Sequence, residues 1–135
     1  MIRPLEGPVV LDAEGLARAV KKDPYISGVI SLAGHSSVAV VTSAATIVEV
    51  SNAKPNLAAL NWTVSRLKVE PVTKQLAVSA AGLLAQAGLS GHRHALDAMV
   101  CATALALSGR PTIYTSDPDD IERLVAGKAD VIPLR

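Results

Sequence analysis

Phenylalanine is absent from this 135-residue chain, and two tyrosines and one tryptophan supply all of its aromatic bulk. The core must therefore be packed from Ala, Val, Leu and Ile, and a row of aromatic platforms for stacking nucleic-acid bases is not expected. Cysteine occurs once, as Cys101, inside the apolar run from Met99 to Leu107. A single thiol makes neither a disulfide framework nor a metal-thiolate site, so it reads as a buried thiol in a reducing compartment, and a cytoplasmic location is expected. An excess of one charge is also lacking, since 13 basic and 12 acidic residues leave a net +1. No global field attracts a polyanion, and any such contact must come from a local patch. Long apolar runs are missing too. The first residues carry Arg3, Glu6 and Asp12, which leaves no segment of signal-peptide length. The stretch from Gly28 to Val50 is broken at Gly34-His35-Ser36-Ser37 and holds Glu49, whereas a membrane span needs about 20 continuous apolar residues.

Half of the residues are hydrophobic, enough for one compact domain over 1–135. Short β-branched runs at Pro8 to Leu11, Val38 to Thr42, Leu67 to Glu70, Thr112 to Tyr114 and Val131 to Leu134 read as strands. Their unbroken apolar character implies burial on both faces. Helical patterns lie between them at 14–22, 44–53, 57–66, 74–87, 93–108 and 118–126. Ser43 and Thr73 stand where N-caps belong, Gly88, Gly109 and Gly127 follow helical runs, and Pro118 takes the first helical position after Asp117. Alternation of this kind predicts an α/β domain with a mostly parallel five-stranded sheet flanked by helices, because parallel neighbours need crossovers.

In such a sheet, ligands bind beyond the carboxyl ends of the strands. Asp12 ends the first strand, and Asp117 follows the fourth by a few residues, so both reach that edge. Glu49 lies in the second turn of the helix after the second strand, among Ile47, Val48 and Val50, a core-like setting. Asp97 precedes Val100, Cys101 and Ala104 at helical spacing, which points it inward. Each acid has a plainer reading as well. Asp117 before Pro118 is a natural N-cap, and Asp97 near a helix start complements the helix dipole. Asp12 and Glu49 resist that treatment, because carboxylates amid Val and Ile are rarely buried without a partner. No run of Lys or Arg accompanies the four, so their convergence calls for a divalent ion with oxygen ligands.

The segments VVLDAEGL, TSAATIVEV, GHRHALDAMVCATAL and PTIYTSDPDDIERL, with the closing strand ADVIPL, resemble in order and spacing those of the PIN-domain nucleases, and specifically the VapC-type toxins of toxin-antitoxin pairs. The resemblance spans residues 8 to about 125. It implies a PIN-like three-layer fold and an acidic site onto which Asp12, Glu49, Asp97 and Asp117 map, with Asp119 or Asp120 as a further member. It also implies Mg²⁺ or Mn²⁺ as cofactor, endoribonuclease activity on RNA, a cognate antitoxin and a homodimer. Thr115 and Ser116 are similar to the small polar residues that orient the fourth acid. One departure is Glu14, where many relatives carry a small hydroxyl residue. Glu14 is either a ligand through water or an exposed first-turn acid. His92, Arg93 and His94 either meet RNA phosphates at the rim or form a polar helix start.

Two other readings compete. A PIN fold that has lost activity would serve only as a protein-binding module. A phospho-acceptor receiver domain would want a lysine after a late strand, where Thr115-Ser116-Asp117 stands instead.

Overall fold

The computed structural model describes residues 5–51 and 56–134. The strands are β1 (Val9–Leu11), β2 (Val40–Ser43), β3 (Lys68–Glu70), β4 (Thr112–Thr115) and β5 (Asp130–Pro133). The helices are α1 (Ala13–Val20), α2 (Pro24–His35), α3 (Ala44–Glu49), α4 (Leu57–Ser65), α5 (Lys74–Ala87), α6 (Gly91–Leu105) and α7 (Pro118–Val125). The sheet runs β3-β2-β1-β4-β5, and every neighbouring pair is parallel. The expected α/β class and five strands are therefore present, and the sheet is parallel throughout.

The strand pattern explains the three layers. Successive side chains on a strand point to opposite faces. Val10, Val41 and Ile113 enter the core beneath α5, α6 and α7 with Ala98, Cys101, Ile121 and Leu124. Their neighbours Val9, Leu11, Val40 and Tyr114 pack on the other side with Ala19, Ile26, Val29 and Ala33 of α1 and α2. One face is thus filled by aliphatic residues and the other by aliphatic residues around Tyr114 and Tyr25, and a chain without Phe closes two cores. Cys101 is fully buried among them, and that burial, with the Asp97 charge as a lesser cause, pushes its thiol up to about 12.

Helix α2 lies outside the helical segments expected from the sequence. Its start follows the cap rules: Pro24 fills the first turn and the Asp23 side chain accepts from the Ile26 N–H at 3.0 Å. After it, Ser37 takes a left-handed conformation at φ 54, and β2 begins two residues later than expected. The helix expected at 44–53 ends at Glu49, and residues 52 and 53 of that segment lie outside the described ones. The helix expected from 93 starts at Gly91. Ser43 and Thr73 cap as expected, and Gly88 closes α5 at φ 66.

Strand order reverses direction at β1. The chain goes from β1 outward to β2 and β3, then returns to lay β4 against the other side of β1. The crevice at the carboxyl ends of β1 and β4 is the topological switch point, where open parallel sheets place their sites.

Candidate metal centre

Asp12 leaves β1 at that crevice and is 3% exposed. Its side chain is held from two directions. One oxygen, Oδ1, accepts from the Gly15 N–H at 2.8 Å and so caps α1, while Oδ2 accepts from the Ser116 N–H at 3.0 Å. The second bond ties the end of β1 to the loop after β4. A side chain on Gly15 would press against the Leu11 and Asp12 side chains, so the cap depends on a bare backbone at that position.

The cleft over Asp12 is lined by Glu14, Glu49, Asp97, Val100, Ser116 and Asp117 among others, and holds about 240 Å³. Four elements deliver the acids expected from the sequence to this one place. Asp117 arrives on the loop after β4, where the buried Thr115 hydroxyl accepts from the Asp117 N–H at 2.9 Å and fixes the turn. Asp117 occupies the N-cap position of α7, yet its side chain makes no capping bond. The N-cap reading of its carboxylate therefore fails. Asp97 lies in the second turn of α6, beyond the reach of a first-turn dipole effect. It stands over the buried Val100, Cys101 and Ala104 as its spacing predicts.

Glu49 departs from expectation in its surroundings. It ends α3, its neighbour Val48 is 76% exposed, and Glu49 is itself an exposed residue. The core-like setting read from Ile47, Val48 and Val50 is absent, because a six-residue helix packs only one narrow side. Its carboxyl end nevertheless lines the cleft. Partial burial there, followed by the charges of Asp12 and Asp117, raises its pKa.

The strongest electrostatic signal is at Asp97. Burial first, then Asp117, Asp12, Glu49 and Asp120 in turn, push its pKa up from 3.8 to about 7. Like charges close together in a partly desolvated cleft disfavour one another's ionised forms. The four carboxylates are thus near enough to feel each other without a cation.

The pair Asp119 and Asp120, left open by the sequence, separates. Asp119 is exposed in the first turn of α7. Asp120, half-buried, comes within 3.5 Å of the His94 Nδ1. Ligand atoms of His94, Asp97 and Asp120 all lie within 4.8 Å of one another. Of the basic trio before Asp97, His92 and Arg93 are exposed and His94 turns toward Asp120. The three-residue step from His94 to Asp97 on a helix carries part of the signal for this grouping, and the approach of Asp120 from α7 is a long-range contact that the sequence does not display. Glu14 is an exposed first-turn acid at the cleft rim, bonded to Arg18 at 3.2 Å.

No protein-family model matches the chain, and no curated protein is significantly similar to it in sequence. Its fold is similar to that of a chain in the crystal structure of VapBC2 from Rickettsia felis bound to a DNA fragment from their promoter. That match has a TM-score of 0.67, 18% identity, and covers 95% of this chain and 99% of that one. The fold is the PIN-like one expected from the sequence. Among the described residues, no helix is long and apolar enough to cross a membrane.

Proposed function

We propose that this chain is a divalent-metal-dependent endoribonuclease, the toxin of a toxin-antitoxin pair, which hydrolyses RNA phosphodiester bonds. The observation that carries the reading is the convergence of Asp12, Glu49, Asp97 and Asp117 on one cleft, with the Asp97 pKa driven up to about 7. Its donors are hard carboxylate oxygens, the set that Mg²⁺ and Mn²⁺ prefer. Each Asp12 oxygen accepts a single backbone N–H, which leaves lone pairs for a cation. The residues therefore fit a dication, whose charge would offset both the burial and the like charges that raise Asp97.

Asp12 and Asp97 would hold the ion directly, with Glu49 and Asp117 engaging it through water or positioning the attacking water. When bound, the metal supplies polarisation of the scissile phosphate and activation of water for in-line attack. The chain's own share is placement. Asp12 is locked by two backbone N–H groups, Thr115 fixes the turn that presents Asp117, and α6 holds Asp97 over a packed core.

The VapBC2 structure, a pair bound to promoter DNA, supports an antitoxin partner for this chain. A basic side chain placed among the acids would neutralise them, and arginine's fixed fork suits paired carboxylates best. Self-association as a homodimer and residence in the cytoplasm belong to the same reading. The test is cleavage of a metal-free RNA by the purified protein. Cleavage should require Mg²⁺ or Mn²⁺ and stop in chelator. Full-rate cleavage in chelator would overturn the reading, and metal binding without cleavage would favour an inactive PIN-fold binding module.

A further inference from the structure

Helix α3, which ends in Glu49, has a single buried side chain, and that side chain is the polar Thr46. A helix this short is marginal on its own in water, and an aliphatic residue would be the ordinary anchor. Val matches Thr in shape and carries no hydroxyl to desolvate. The Thr46 hydroxyl is instead committed to hydrogen bonds. Its Oγ1 lies 2.8 Å from the Ser43 carbonyl oxygen and 2.8 Å from Oγ1 of Thr42, which is also fully buried. Thr42 in turn donates to the Leu11 carbonyl at 2.8 Å. That donation fixes the direction of the chain. Each hydroxyl has one proton, so Thr46 must supply the bond to Thr42, sharing its proton with the Ser43 carbonyl in a three-centre arrangement. The chain of bonds runs from α3 through β2 to the last residue of β1, immediately before Asp12. Its other end lies one helical turn before Glu49.

We propose that the Thr42–Thr46 hydroxyl pair is a positioning unit of the acidic centre: it fixes the helix bearing Glu49 to the end of the strand that delivers Asp12, and so sets the spacing at which both carboxylates serve one ion. The inference rests on the metal reading above and extends it to two residues that do not line the cleft. Aliphatic contact is non-directional, whereas a satisfied buried hydrogen-bond chain specifies how the three elements are turned relative to one another. Glu49 is exposed and its neighbour Val48 faces solvent, so packing around Glu49 itself supplies little of that constraint.

The test is calorimetric titration of Mg²⁺ into the intact protein and into Thr46→Val, Thr46→Ser, Glu49→Gln and the double variant Thr46→Val with Glu49→Gln. Thr46→Val keeps the shape and loses the donor, and it should weaken Mg²⁺ binding by about tenfold, the lower end of the scale for groups that orient ligands. Thr46→Ser keeps the donor and loses the methyl, and its affinity should stay close to that of wild type. In the Glu49→Gln background, Thr46→Val should cause little further loss, because the constraint acts through Glu49. Thr42→Val should reproduce the loss and serves as the second variant if Thr46→Val folds poorly. Unaltered Mg²⁺ affinity in both Val variants, a larger loss in Thr46→Ser than in Thr46→Val, or an undiminished loss in the Glu49→Gln background overturns the positioning unit and leaves the four-acid centre standing. A wild-type protein that binds no Mg²⁺ overturns both.

Discussion

Two helices of this protein begin with the same dipeptide. At α2, Asp23-Pro24 behaves as local rules require, and the Asp23 carboxylate accepts from the Ile26 N–H at 3.0 Å. At α7, Asp117-Pro118 repeats the dipeptide but not its bond, the N-cap backbone standing at φ -120, ψ 61 against φ -55, ψ 131 at Asp23, and the Asp117 side chain lines the acidic cleft. Asp12 stands between these cases, because it caps α1 and also faces the cleft. A carboxylate at an N-cap position gains about 1 kcal/mol from capping. Where one forgoes that gain and joins like charges instead, something other than stability holds it there, and a cation is the simplest candidate.

Substitutions along this series should separate structure from chemistry. The largest loss of stability is expected at Asp12. Asp12→Ala removes a cap and leaves the Ser116 N–H without its partner, which together should cost roughly 2–4 kcal/mol in denaturant unfolding. Cleavage should vanish as well. A loss below about 1 kcal/mol would mean that the two bonds contribute little.

Asp97 should act in the opposite direction. Its pKa is 3.8 in a reference state and about 7 in the fold, so the native protein binds the extra proton across that window. Metal-free stability attributable to Asp97 is therefore greatest in acid and is lost as pH rises through about 7. After allowance for solvent screening, the loss should be about 1–2 kcal/mol. Melting the metal-free protein against Asp97→Asn between pH 5 and 8 measures it. The two should differ most at the alkaline end, and a constant difference would contradict the raised Asp97 pKa that burial and the neighbouring charges produce.

Asp23→Ala should cost about 1 kcal/mol and leave cleavage and metal response untouched. Asp117→Ala should change stability least, by under about 0.5 kcal/mol, because no capping bond is lost. It should nonetheless abolish cleavage. If Asp117→Ala destabilises as much as Asp23→Ala, the contrast between the two helices collapses.

Much of this arrangement was legible in the sequence because it depends on local pattern. Asp12 follows an unbroken Val-Val-Leu strand, and Asp97 precedes buried residues at helical spacing, so their placement needed only element type and strand direction. Helix α2 was harder to read. Its segment, from Pro24 to His35, carries Ile26, Val29, Ile30 and Ala33 at helical spacing, but Gly28, Leu32 and Gly34 between them blur the polar face that would mark an amphipathic helix. The Asp23-Pro24 start was nonetheless the same signal that marked α7. Glu49 looks core-like among Ile47, Val48 and Val50 because sequence neighbours cannot reveal that a short helix buries only one side. The choice between Asp119 and Asp120 turned on the packing of α7 against α6, a long-range contact that spacing within one helix does not encode. For the same reason the meeting of His94 with Asp120 was not anticipated.

On the reading proposed above, the four-acid cleft holds a divalent cation with Asp97 among its ligands. The most direct measurement is the melting temperature of wild type and Asp97→Asn, each with and without Mg²⁺. At about pH 8, where Asp97 is ionised in the fold, the metal-free mutant should melt higher than metal-free wild type by several degrees, about 5 °C for 1–2 kcal/mol in a domain of this size. Mg²⁺ should stabilise wild type by about 2.7 kcal/mol at a hundredfold excess over Kd, and the mutant far less. Equal Mg²⁺ gains in the two proteins, or a metal-free mutant that melts below wild type, would remove Asp97 from the metal site.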